Sequence, residues 1–186
     1  MIATQGFLGR FGMRLRLRLL WLIFASFFKK PISLLDESVI TLWVLPNDVD
    51  ITKITNDRYV TIMDLGRMDY AFRVGLRSTM VKKKWIPVAT FVNVRFRYPL
   101  RIFQRYQLKT RILWWDEKVF YWEQTFLRDG RVLATGHVGG TVHHNGIVPS
   151  SDVLAIIGRG VERPNMPDSV ARLIAAERLI HDSQKD

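Results

Sequence analysis

The stretch that most limits the fold of this chain runs from Trp85 to Val142. Four runs there alternate apolar and polar residues: Trp85–Tyr98, Arg105–Trp115, Lys118–Leu127 and Arg131–Val142. A period of two is the pattern of a strand with one face buried. In the first run Val92, Val94, Phe96 and Tyr98 point one way, while Asn93, Arg95 and Arg97 point the other. Asp129-Gly130 joins the last two runs and predicts a tight hairpin. Ahead of them lies one long helical run, Asp57 to about Leu76, and before it a β-rich run, Ser38 to Leu45, ended by Pro46. One strand, one long helix and four more strands predict an α+β domain, an antiparallel sheet wrapped around a central helix.

Small residues set how tightly that wrap is drawn. Gly66 in mid-helix costs roughly 1 kcal/mol relative to alanine, so a close backbone approach is its expected reason. On the last strand Ala134, Gly136, Val138 and Gly140 share one side, leaving room for a helix. Gly66 is therefore expected against Gly136 and Gly140. After Gly146 the pattern changes. Ser150-Ser151-Asp152 reads as the N-cap of a short helix to Gly158. Pro164 and Pro167 then precede an amphipathic helix, Asp168 to about His181. The expected division is 1–33, a basic apolar helical segment; 34–148, the sheet-and-helix domain; and 149–186, a C-terminal helical extension.

With 186 residues, 48% of them hydrophobic, the chain can bury a sizeable core, which excludes a disordered protein. It has no cysteine, so disulfides, zinc–thiolate sites and a cysteine nucleophile are excluded; this fits a reducing, cytoplasmic setting. A net charge of +11 favours polyanions: nucleic acid, anionic lipid or the phosphates of a substrate. Trp114, Trp115, Tyr121 and Trp122 lie among the basic runs, yet no nucleic-acid recognition signature accompanies them, and nucleic acid is not expected as a partner. The His143-His144 pair lacks a third ligand in pattern, so neither a metal nor a cofactor is expected.

The opening segment, Arg10 to Lys30, is basic and then apolar. Its uninterrupted apolar part, Leu19 to Phe28, is shorter than the roughly 20 residues a membrane span needs. Three readings fit: a signal peptide, though Phe27, Phe28 and Lys29 make a poor cleavage site; an amphipathic helix on an anionic membrane surface; or a helix packed on the domain or a partner subunit.

The chemistry concentrates between Pro46 and Leu76. Asp48 and Asp50 share a face if their segment is extended, and they precede a helix whose first N–H groups are free. An acid so placed acts as base or nucleophile at a carbonyl whose oxygen the helix end holds; alternatively it is a turn residue. Asn56 either orients water or substrate or bends the chain into the helix. Asp57 is expected to cap the helix. Asp64, about two turns in, is a candidate base, or else the partner of Arg67 three residues on.

The segment P-N-D-V-D-I-T-K-I-T-N-D-R-Y, followed by M-D-L-G-R, resembles the 4-hydroxybenzoyl-CoA thioesterase family of hotdog-fold acyl-CoA thioesterases, nearest the branch that includes thioesterase superfamily member six. Pro46, Asn47, Asp48, Asp50, Asn56, Arg58, Tyr59, Met63, Asp64, Leu65, Gly66 and Arg67 carry the match. It continues through Arg97–Leu100 and Trp115–Glu117, covering roughly Leu34 to Gly158. Ile54 stands where the family pattern has histidine, Asp57 replaces an asparagine, and one residue is missing before Arg58. The resemblance implies a hotdog fold, an acyl-CoA substrate and a homodimer or dimer of dimers with the acyl tunnel between subunits. It implies catalysis by Asp50 or Asp64, with Asp48 and Asn56 further candidates. Arg58, Tyr59, Arg95 and Arg97 are expected to contact substrate. The aromatic lining favours a medium or long acyl chain, or an aryl group. The alternative, motivated by Ile54, is a non-hydrolytic acyl-CoA-binding or membrane-associated hotdog protein.

Overall fold

The computed structural model describes residues 13–26, 28–158 and 160–183. Helix α1 (Met13–Ser26) leads to strand β1 (Ser38–Trp43), a 3-10 turn (Pro46–Asp48) and the long helix α2 (Asn56–Arg73). A short α3 (Arg77–Lys82) follows, then β2 (Ile86–Phe96), β3 (Arg105–Trp115), β4 (Phe120–Arg128), β5 (Arg131–His143) and the two-residue β6 (Ile147–Val148). Helices α4 (Ser150–Ile157) and α5 (Asp168–Asp182) complete the described chain. The sheet is antiparallel in the order β1-β3-β4-β5-β2, with β6 on the end of β5.

The inner face of the sheet closes over α2. Ile62, Met63, Leu65, Gly66, Met68 and Tyr70 of the helix are buried against Leu108, Phe126 and Val138 of the strands. The helix stops three residues earlier than expected. Gly75, at φ +101°, takes the left-handed conformation that ends helices, and α3 restarts at Arg77. The hairpin at Asp129-Gly130 forms as expected, with φ +51° and +74° at its two residues, the signs a type I′ turn demands.

Gly66 does allow a close approach, but to other strands than expected. A Cβ there would lie 2.7 Å from Thr110 Oγ1 and 2.8 Å from both Gln124 Nε2 and Leu108 Cδ2, so the helix rests on β3 and β4. Gly136 instead leaves room for Met63, whose Cε would lie 2.3 Å from an added Cβ, and Gly140 lies under Trp122. Gly66 and Gly136 thus serve the packing of α2 on the sheet, whereas Gly140 makes room for a β4 side chain.

The outer face carries a second, smaller cluster. A bulge between Ala89 and Phe91 turns the Phe91 ring over Gly139, where it joins Tyr121, Trp114 and, from α5, Val170. Thus α5 covers part of the sheet's back. Helix α4 is tied elsewhere. The Ser150 N–H donates to Glu117 O at 2.8 Å, and its hydroxyl to Asp116 O. Ser150 is therefore the first residue of α4, with Pro149 at the N-cap position, rather than the capping group the sequence suggests.

Helix α1 packs on α2 through buried Leu22. Two ion pairs fasten this region: Arg18 to Asp48, and Lys29 Nζ to Oδ1 of fully buried Asp69 at 2.5 Å. Asp69 also accepts from Ser38 Oγ at 2.6 Å. The other side of α1 is bare. Trp21, Phe24 and Phe28 stay 65%, 57% and 77% exposed, and consecutive rings along this ridge lie 6.1 and 5.3 Å apart. No described helix is long and apolar enough to cross a membrane.

Candidate active site

A chamber of about 460 Å³ lies between α2 and the β2–β5–β4 side of the sheet. Helix α2 lends it one stripe. Thr61, Asp64, Arg67 and Ala71 of the helix and Val74 at its C-cap line it in turn, the three- and four-residue spacing of a single helix face. The wall is thus polar at one end and apolar at the other. Gly140 contributes bare backbone to the opposite wall, so Trp122 can lie flat against the strand.

The polar end is a locked network. Arg67 pairs with Asp64 and donates through Nη1 to Gln124 Oε1 at 2.6 Å. Gln124 is fully buried and donates onward to Met63 O at 2.8 Å and Thr110 Oγ1 at 3.0 Å. Burial lowers the Arg67 pKa, and the neighbouring Asp64 charge opposes that shift. The arrangement satisfies a buried guanidinium while presenting a partly exposed carboxylate, Asp64, to the chamber. Such a group can orient water or accept a proton beside an apolar cavity.

The remaining sequence candidates sit elsewhere. Asp48 is buried and committed. Its carboxylate binds Arg18 at two points and accepts the Leu45 N–H at 2.9 Å. Asp50 lies exposed in the turn closed by the Val49–Ile54 bridge, away from the chamber lining. Asn56 is exposed at the first residue of α2. Thr55 occupies the cap position without a side-chain hydrogen bond. Asp57, expected as the cap, is instead an exposed first-turn residue beside Arg58 at 3.9 Å. The helix end therefore receives no cap from the side chain of Thr55.

Tyr59 is part of the core. Its ring packs on Phe96 and Phe126, and its hydroxyl accepts the Leu100 N–H at 3.1 Å. Burial raises its pKa. Arg95 on β2 and Arg97 just beyond its end are exposed and do not line the chamber; by strand alternation Arg95 faces away from α2. Among the described residues no group of three or more metal-ligating side chains assembles. The sequence reading missed Gln124, which its buried polar position in an alternating strand could have flagged, and the chamber residues of α3 and α4, which no local pattern marks.

A profile of the thioesterase-like superfamily matches residues 44–174. Protein THEM6 of Xenopus laevis is 33% identical over 145 residues, covering 76% of this chain and 69% of that protein. Protein THEM6 of Drosophila melanogaster is 28% identical over 174 residues, covering 91% and 88%. Among solved structures, a gentisyl-coenzyme A thioesterase superposes with a TM-score of 0.57 at 25% identity, over 64% of this chain and 98% of that one. The curled antiparallel sheet around α2 is the hotdog fold.

Proposed function

Because the chain belongs to the thioesterase-like superfamily, we propose that it hydrolyses acyl-CoA thioesters, with residues 34–148 as the catalytic unit. The observation that carries this reading is the chamber, apolar along most of its length and bounded at one end by the Asp64–Arg67–Gln124 network. An acyl chain fills the apolar part and places its thioester beside Asp64. Asp64 orients a water and takes its proton as the oxygen attacks the carbonyl carbon. The tetrahedral oxyanion then collapses, the C–S bond breaks, and the departing sulfur of coenzyme A takes up the proton, leaving the free acid.

Asp50 is the competing carboxylate. It stands exposed just before α2, whose first turn has no side-chain cap from Thr55. That end of the helix suits an oxyanion. Strand β2, eleven residues long and paired only with β5, leaves a row of unpaired backbone groups. A second copy adding its own β2 there is the simplest remedy, and gives the homodimer of this reading. The exposed Arg95 on that strand and Arg97 just beyond it supply charge for coenzyme A phosphates. The bare ridge of Trp21 and Phe24 on α1 and Phe28 just beyond it fits peripheral contact with an anionic membrane.

The test is thiol release from a panel of acyl-CoAs by the wild type, Asp64→Ala, Asp50→Ala and the double variant. Loss of kcat by about 10²–10⁴-fold in Asp64→Ala identifies the base; the same loss in Asp50→Ala alone transfers the role. Turnover that survives in the double variant removes both assignments. A second reading, acyl-CoA binding without hydrolysis, is favoured by Ile54, buried where the family pattern has histidine. Calorimetric binding of acyl-CoA with no thiol release distinguishes it.

A further inference from the structure

We infer that the chamber is a blind pocket that measures acyl length, with Met80, Trp85 and Ile157 as its floor. The inference rests on the acyl-CoA reading above and names its substrate class, a medium-length chain. Thr61 and Asp64 at its polar end are partly exposed and Pro87 and Ala89 on the β2 edge are exposed, whereas Leu76, Met80 and Trp85 at the far end are buried. A ligand entering at Asp64 therefore travels along α2 toward Val74 and meets a wall.

That wall is built from segments on both sides of the sheet strands. Trp85 is placed by a tight turn. Lys84 takes φ +53°, and the Trp85 N–H donates to Met80 O at 3.0 Å. The Lys83 ammonium lies 5.1 Å from the centre of the indole ring. Helix α4 closes the remaining side with Val153 and Ile157, anchored by Ser150 to the β3–β4 turn. A wall held by backbone hydrogen bonds at two separate points does not yield readily to a longer chain.

The helix itself is the scale. At 1.5 Å per residue, Asp64 to Val74 spans about 15 Å. A zigzag of carbon–carbon bonds of ~1.5 Å advances ~1.25 Å per carbon, so this length holds about twelve carbons. The chamber volume of about 460 Å³ lies within the ordinary range for a pocket that encloses a small ligand. Saturated chains of about ten to twelve carbons fit the scale, and hexadecanoyl chains exceed it.

The experiment is a length profile of kcat/KM on saturated acyl-CoAs from hexanoyl to octadecanoyl. The wild type is expected to peak at decanoyl or dodecanoyl and fall by about tenfold or more for each further pair of carbons. Trp85→Ala moves the peak to longer chains; Ile157→Trp moves it to shorter ones. If Trp85→Ala does not fold by circular dichroism, Met80→Ala takes its place. An unchanged profile in folded floor variants overturns the inference. If no acyl-CoA releases thiol, the hydrolase reading fails on its own, and calorimetry of octanoic, dodecanoic and hexadecanoic acids decides the ruler. Tightest binding of dodecanoic acid, relaxed by the floor variants, supports it; equal binding of all three overturns it.

Discussion

Arg18 and Asp48, thirty residues apart, meet at two points: Nη2 lies 2.5 Å from Oδ2 and Nη1 3.2 Å from Oδ1. Both side chains are largely buried, and the pair joins α1 to the 3-10 turn before α2. A carboxylate held this way is a structural clamp, which separates Asp48 from Asp50 although sequence spacing treats them alike.

Breaking the clamp leaves a buried charge without its partner, a loss of about 3–5 kcal/mol. Asp48→Ala is expected to lower the melting temperature by roughly 6–20 °C, while the folded fraction keeps its acyl-CoA turnover. Arg18→Ala should produce a similar loss, and the double variant much less than the sum. Additive losses would show that the two residues act independently.

Gly66→Val carries no chemistry and should still be severe. Its Cβ alone meets Thr110, Gln124 and Leu108 inside 3 Å, and overpacking of this kind costs about 1–3 kcal/mol. Displacing Gln124 also disturbs its bond to Arg67. Both the denaturant midpoint and kcat should fall. A midpoint within error of the wild type would mean that α2 does not rest on β3 and β4 as described.

Glu123 on the outer sheet face predicts an acid-sensitive contribution. The neighbouring His137 ring, its Nε2 3.6 Å away, and the hydrogen bond and charge of Arg111 outweigh the opposing effect of burial and pull its pKa from 4.5 to about 2. A depressed carboxylate stabilises the fold fully above its unfolded pKa and loses that effect as pH falls through the folded value. Glu123→Gln should thus melt below the wild type at pH 7, with the gap closing between pH 4.5 and pH 2. Thermal melts across that window check it; a gap that stays constant would assign the stability to packing.

The α1 ridge predicts vesicle binding. Replacing Trp21, Phe24 and Phe28 together by serine should abolish co-sedimentation with phosphatidylserine-containing vesicles without lowering the melting temperature, because these rings are exposed. Added salt should weaken binding by the wild type, since each nearby basic residue contributes roughly 1 kcal/mol through screened attraction. An intact chain that ignores such vesicles would leave the ridge without this role.

The strands were legible because their information is local. Each alternating run became β2 to β5 within a few residues, and Asp129-Gly130 carries its own turn geometry. Helix α2 was legible from its spacing, but its stop at Arg73 depends on Gly75 taking a left-handed conformation, which many glycines do not. The partners of Gly66 and Gly136 were not legible, since a small residue records that something comes close, not what. The site divided along the same line. The Asp64–Arg67 pair follows from a helical spacing of three, whereas Gln124 completes the network from 57 residues beyond Arg67. The chamber floor joins Met80, Trp85 and Ile157 across most of the sheet, and no sequence window contains them together.

Ile54 shows what such a site can and cannot become. Its side chain is buried, its N–H donates to Leu100 O at 2.9 Å, and its backbone bridges Val49. A histidine restored there would enter an apolar enclosure where its charged form is strongly disfavoured. A single Ile54→His substitution would therefore destabilise the turn before it added any chemistry. The position works as a latch: with the surrounding core closed over an aliphatic side chain, several neighbours would have to change together before an imidazole could sit there in its charged form.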